Sequence, residues 1–212
     1  MQDTITNIVV ARYKKDTDFI NKFKEHDENI DILIYDKENQ DNKYNIPINK
    51  GNEASVYLKY IIDFYNELPE YTFFIHDEEY AWHHSGSIIE KYIEAKHANQ
   101  SYYNINDNAP NQFEFLKKDD YNKIIFNDEN WWNDFLGWYN TFIENYVSFD
   151  KIDKFKIFRC CAQFLVHRDS IKKLPIDFYQ NLYNWIITTD MPNNKSGRFM
   201  EWIWHIIWSD DF

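Results

Sequence analysis

His76-Asp77-Glu78-Glu79 places one imidazole and three carboxylates in four consecutive positions, directly after the apolar run Tyr71 to Ile75. Hard divalent cations prefer carboxylate oxygens, and two carboxylates at a strand end can reach one ion. Such an ion would neutralise the diphosphate of a leaving nucleotide. A solvated turn of charges has the same local pattern. Strand alternation sets His76 and Glu78 on one side and Asp77 and Glu79 on the other, and the second pair is the expected ligand set.

Other groups with chemistry to offer lie before and after this stretch. His83 and His84 follow closely and, with His76 and Asp77, have the ligand types of a metal-dependent hydrolase, although the spacing matches no zinc signature. Alternatively Trp82 packs inward while the two histidines flank a helix opening at Ser87. Asn49-Lys50-Gly51-Asn52-Glu53 opens a helix whose N–H groups, with Lys50, suit a phosphate, and Asn49 or Asn52 would equally serve as a cap. Ser196-Gly197-Arg198 reads as a turn before a last helix, with Arg198 a candidate diphosphate partner. Glu201 and His205 stand one helical turn apart on that tryptophan-rich helix. They suit a general base and a metal ligand, or a buried pair that only satisfies itself. There is no Walker loop, no G-x-G-x-x-G and no G-x-S-x-G.

The elements that would position these groups follow from periodicity. Ile5 to Ala11 and Ile30 to Tyr35 are short β-branched runs that read as buried strands, separated by a helix capped by Asp16 or Thr17 with Phe19, Ile20 and Phe23 at helical spacing. A polar loop over 37–50 precedes a helix with Ala54, Tyr57, Leu58, Ile61, Phe64, Tyr65 and Leu68 on one face, ended by Pro69. Tyr71 to Ile75 is a third strand, and it delivers the acidic stretch to the strand end where open α/β sheets bind ligands. Ser87 and Glu90 form a capping box. Tyr102 to Ile105 reads as a short strand before a long loop, Trp131 to Val147 as a helix, Ile157 to Val166 as a strand, and Pro175 as a helix start. The alternation predicts a three-layer α/β/α sandwich with a mostly parallel sheet, the late strands being able to pair antiparallel.

Bulk properties narrow the function classes. One domain over 1–212 is the default for 212 residues, and a formal charge of −12 argues against nucleic-acid partners, which need Lys and Arg on phosphates. A compact anion carried by a divalent cation remains compatible with an acidic protein. The adjacent Cys160 and Cys161 lie in an apolar run and read as small buried hydrophobes, which excludes a disulfide framework. No signal peptide or membrane span is evident, and the expected location is cytoplasmic, the host cytoplasm if the source is viral.

Five segments, VVARYKKD (Val9 to Asp16), NKGNEASVYLKYIIDFYNELP (Asn49 to Pro69), FFIHDEEYAWH (Phe73 to His83), CCAQFLVHRDSI (Cys160 to Ile171) and SGRFMEWIWHIIW (Ser196 to Trp208), together resemble one family. That family is catalogued as a domain of unknown function, is common in fungi and giant viruses, and includes a chlorella-virus capsid-modifying glycosyltransferase domain. Two positions depart from its pattern: Asn52 stands where arginine usually follows the glycine, and the residues after His76 are more acidic.

The resemblance implies a GT-A type fold, with a nucleotide-binding half over about 1–80 and an acceptor-binding half over about 81–212. It places Ala11, Arg12, Tyr13 and Asp36 at the nucleoside and His76 to Glu79 as the acidic metal motif. The expected activity is transfer of a sugar from a nucleoside diphosphate sugar, a UDP-sugar by preference, to a hydroxyl of a glycan or glycoprotein. Mn²⁺ or Mg²⁺ would sit on Asp77 and Glu79 with His205 as third ligand, Glu201 or Asp77 would be the base, and Arg12, Lys50 and Arg198 would meet phosphate charge. The alternatives are a non-catalytic carbohydrate-binding module, suggested by a 19% aromatic content, and the metal-dependent hydrolase.

Overall fold

The structure is a computed structural model that describes residues 5–39, 41–108, 130–148 and 161–208. Its centre is a five-stranded sheet of order β2-β1-β3-β5-β4, built from β1 (Thr6–Arg12), β2 (Ile30–Asp36), β3 (Tyr71–His76), β4 (Tyr102–Asn104) and β5 (Phe164–His167). β1 pairs in parallel with β2 and β3, bringing Ala11 opposite His76 and Arg12 opposite Asp36. β5 runs antiparallel to both β3 and β4. The fold is therefore mixed α/β, parallel where the sequence has continuous β-branched runs and antiparallel at its late edge.

Alternation along β1 and β3 sends side chains to two apolar layers. Ile8, Val10, Phe73 and Ile75 meet Ile20 and Phe23 of the 3₁₀ turn Asp18–Lys22 and helix α1 (Phe23–His26), together with Ile88 and Tyr92 of α3 (Ile88–Ala98). Val9, Ala11 and Phe74 face α2 (Ala54–Phe64) and the later helices: α4 (Trp131–Phe142), α6 (Ile176–Thr188), α7 (Asn193–Glu201) and α8 (Trp204–Trp208). The short α5 (Arg168–Lys172) follows β5 directly. Helices thus cover both faces. The capping box before α3 is complete: Ser87 Oγ accepts from the Ile89 N–H at 3.2 Å, and the Ser87 N–H donates to Glu90 at 2.9 Å.

Several elements differ from expectation, each for a local reason. The segment Ser196-Gly197-Arg198 is not a turn but lies inside α7, which starts after Pro192. Gly197 is tolerated there because a Cβ would lie 2.8 Å from Asn52 Nδ2, so close approach overrides helix propensity. The expected last helix is interrupted after Glu201 and resumes at Trp204, so Glu201 and His205 are not on one continuous helix. Trp204 and Trp208 stack at 4.8 Å, and Trp208 lies over Phe74, which explains a segment apolar on all sides. The expected strand before Val166 begins only at Phe164 within the described residues, since Cys161 has φ +84, a backbone incompatible with a strand. Cys161 is buried as expected, whereas Cys160 and much of the long-loop assignment lie outside the described residues. Among the described residues no helix is long and apolar enough to cross a membrane.

Candidate functional site

The strand order makes the chain leave β1 toward β2 and return on the other side of β1 as β3. Between β1 and β3 lies the switch point of the sheet, where loops diverge and leave a crevice beyond the carboxyl ends. A cleft of about 490 Å³ occupies this place. Its lining comes from four segments: Ala11 in β1 with Tyr13 and Lys15 just after it, Lys37 after β2, Asn49, Asn52 and Glu53 before α2, and His76, Asp77 and Glu78 at the end of β3. Asn193 of α7 completes it.

The acidic stretch divides its roles in an unexpected way. β3 ends at His76 and the chain bends at Asp77, so strand alternation does not extend into the carboxylates. Asp77 and Glu78 both line the cleft. Asp77 accepts the Tyr13 backbone N–H at 2.6 Å, and Glu78 pairs with Lys15. Glu79 is held elsewhere, by Lys22 Nζ at 2.7 and 2.9 Å and by the Ser87 hydroxyl at 3.1 Å, and Lys22 holds its carboxyl below the usual range. Of the expected pair Asp77 and Glu79, Asp77 lines the cleft and Glu79 does not, whereas Glu78 does.

Behind these groups lies a set of buried charges. Glu53 is almost wholly covered, and its Oε2 lies 3.7 Å from His76 Nε2. Its Oε1 and His76 Nε2 are buried with no hydrogen-bond partner. Burial pushes the Glu53 carboxyl up, against the pull of Lys37 and Arg198. Burial also lowers His76 to about 4 and the buried Lys37 ammonium to about 8. Glu201 is 8% exposed and accepts from Arg198 Nη1 at 2.9 Å, yet burial outweighs that partner and raises its carboxyl. Gln163, fully buried just before β5, accepts the His76 N–H at 3.1 Å and approaches His83 Nδ1 at 3.4 Å.

A family profile described as Protein of unknown function (DUF3431) matches residues 8–212. The chain belongs to this family. The match takes in every helix and strand described above, apart from the first two residues of β1, and every residue that lines the cleft. No curated protein and no solved structure matches the chain.

In this DUF3431 chain the residues nominated from sequence fall into four groups. Ala11, Tyr13, His76 and Asp77 line the cleft. Arg12 and Asp36 pair with each other at its border; Arg12 also donates to the Lys15 carbonyl at 3.0 Å, and Asp36 accepts the Glu38 and Asn39 N–H groups. Lys50 is turned away to the Thr189 and Met191 carbonyls, at 2.6 and 3.0 Å, where it fastens the end of α6. Arg198, Glu201 and His205 do not line the cleft; Arg198 exerts its charge on Glu53, and burial lowers His205 to about 3.

Sequence reasoning missed Lys15, Lys37, Glu53 and Gln163. Lys37 follows Asp36 directly at the end of β2, and that position was its only signal; Glu53 was read merely as part of a helix opening. Trp82 is 64% exposed instead of packing inward, while His83 and His84 are buried and the His76 and His83 rings meet edge-on at 5.2 Å. Among the described residues no three His, Cys, Asp or Glu side chains are grouped to hold a metal ion on their own. Asp77 and Glu78 nevertheless suit Mg²⁺ or Mn²⁺ of the kind that takes one or two carboxylates, waters and substrate phosphates.

Proposed function

We propose that the protein is a metal-dependent glycosyltransferase that moves a sugar from a nucleoside diphosphate sugar, a UDP-sugar by preference, to a hydroxyl of a glycan or glycoprotein. In this reading the parallel half of the sheet is the nucleotide-binding half of a GT-A-like arrangement. The observation that carries it is the cleft at the β1/β3 switch point, with carboxylates (Asp77, Glu78) and ammonium groups (Lys15, Lys37) on the same walls. Mn²⁺ or Mg²⁺ on Asp77, with Glu78 beside it, would supply charge to the diphosphate as it leaves. Lys15 and Lys37 on the cleft walls, with Arg12 at the border, are the cations that this reading assigns to the diphosphate. Arg198 and Glu201 support the cleft from α7.

Isothermal titration of UDP in the presence of Mn²⁺, repeated with a chelator, tests the donor site, and UDP release across a panel of UDP-sugars tests the reaction. Metal-dependent nucleotide binding with release from at least one donor is expected. Neither binding nor release for any donor sinks the proposal. The binding-module alternative drew on aromatic abundance, but Trp202, Trp204 and Trp208 are fully buried in the core, where packing accounts for them without a sugar.

A further inference from the structure

Two of the buried polar atoms left without hydrogen-bond partners belong to neighbouring residues of the cleft wall: Glu53 Oε1 is part of a carboxylate whose other oxygen, Oε2, lies 3.7 Å from the second, His76 Nε2. That separation is too long for a direct hydrogen bond. Buried polar groups are nearly always satisfied, so an unsatisfied pair in a cleft calls for a ligand that satisfies both. Neither residue is spent on local structure. Glu53 stands at the N-cap of α2 but makes no side-chain cap, and His76 is the last residue of β3. Both are held in place: Gln163 fixes the His76 backbone, His83 abuts its ring, and consecutive positive φ angles at Gly51 and Asn52 set the approach to Glu53.

We propose that Glu53 is the catalytic base of the cleft, and that an acceptor hydroxyl is seated between its carboxylate and His76. His76 donates from Nε2 to the hydroxyl oxygen, and the hydroxyl donates to Glu53. This rests on the transferase reading above and names the acceptor's chemistry. The amides of Asn49, Asn52 and Asn193 on the same walls suit a neutral polyol such as a sugar. In the step itself the acceptor oxygen forms a bond to the anomeric carbon as the bond from that carbon to the diphosphate oxygen breaks. The electron pair leaves with the nucleoside diphosphate, and the acceptor proton ends on Glu53. Burial raises the Glu53 carboxyl and so strengthens it as a proton acceptor, while Lys37 and Arg198 oppose that rise and favour its ionised form.

The test uses the full chain with Glu53→Gln and Glu53→Asp. UDP affinity with Mn²⁺ is measured by titration, and UDP release from the UDP-sugar panel is followed with water or methyl glycosides as acceptor. Both variants are expected to bind UDP within about threefold of the wild type, while kcat for release falls at least about 100-fold in Glu53→Gln and about tenfold in Glu53→Asp. If Glu53→Gln does not fold, Glu53→Asp decides by the same criterion. Retention of more than a third of the wild-type kcat overturns the proposal. So does a loss of UDP affinity in proportion to kcat, which would assign Glu53 to the donor or metal site. A wild-type protein that neither binds nor releases UDP refutes the transferase reading itself, a result seen without any variant.

Discussion

The Tyr13 backbone N–H donates to Asp77 Oδ2 at 2.6 Å, tying the chain just beyond β1 to the chain just beyond β3. The two residues are far apart in sequence, and the parallel pairing that ends with Ala11 opposite His76 brings them together. The bond fixes one face of the Asp77 carboxylate and leaves the other lone pairs for a ligand. A cleft carboxylate is in this way oriented by the two post-strand segments that the parallel pairing brings together.

Asp77→Asn separates the charge from the tie, because the amide oxygen still accepts the Tyr13 N–H. The variant is expected to keep its thermal midpoint while its affinity for UDP in the presence of Mn²⁺ drops at least about tenfold, or about 1.4 kcal/mol. Chelator should then make little further difference. An undiminished response to Mn²⁺ in the titration would remove Asp77 from the metal site.

Strands β1 and β3 were legible in sequence because central strands are buried on both faces and appear as apolar runs, and the edge strand β2 because Ile30, Ile32 and Ile34 recur along it. The capping box at Ser87 and the start of α6 after Pro175 were legible for equally local reasons. What sequence could not show depends on contacts between distant segments. Gly197 belongs to a helix only because Asn52 leaves no room for a Cβ, and Lys50 is diverted from the cleft by carbonyls more than a hundred residues away. Glu53 acquires its character from His76, Lys37 and Arg198, none of them near it in the chain.

Stability of the metal-free protein should fall on mild acidification. Burial holds His76 at about 4 and both His83 and His205 at about 3, against an ordinary value of 6.5. Between 6.5 and these values the unfolded chain binds more protons than the folded one, so the folded state has its full advantage above pH 6.5 and loses it progressively toward pH 3 to 4. Each group contributes up to about 1.4 kcal/mol per pH unit in that window. Urea unfolding at pH 7.5, 6, 5 and 4.5 should show this slope, and His83→Gln should flatten it. A stability independent of pH from 7.5 to 4.5 would mean that the imidazoles are not buried as described.

Gly51→Ala probes the joint between the cleft and α6. Gly51 has φ +64, where an L side chain is strained, and an added Cβ would lie 2.4 Å from Cδ1 and 2.7 Å from Cγ1 of the fully buried Ile186. Backbone strain plus overpacking should cost about 2 to 4 kcal/mol and lower the melting temperature by roughly 5 to 15 °C. Adding Ile186→Val should recover part of this loss by making room, which a purely backbone effect would not allow. Calorimetry on the single and double variants distinguishes the two contributions.

Glu78 and Glu79 are adjacent and chemically equivalent, so comparing them isolates geometry. Glu78 lines the cleft with Lys15 as its partner, whereas both oxygens of Glu79 are held by Lys22, and one also by the Ser87 hydroxyl at the start of α3. Glu79→Gln should leave UDP affinity with Mn²⁺ within about twofold and act instead on the entry to α3, seen as faster amide hydrogen exchange at Ile88 and Ile89. Glu78→Gln should weaken the metal-dependent part of UDP binding by about tenfold, since one carboxylate charge beside the diphosphate is gone, with exchange at α3 unchanged. The opposite pattern, with metal dependence lost in Glu79→Gln and kept in Glu78→Gln, would require the chain beyond His76 to continue as a strand, with alternate residues facing the cleft.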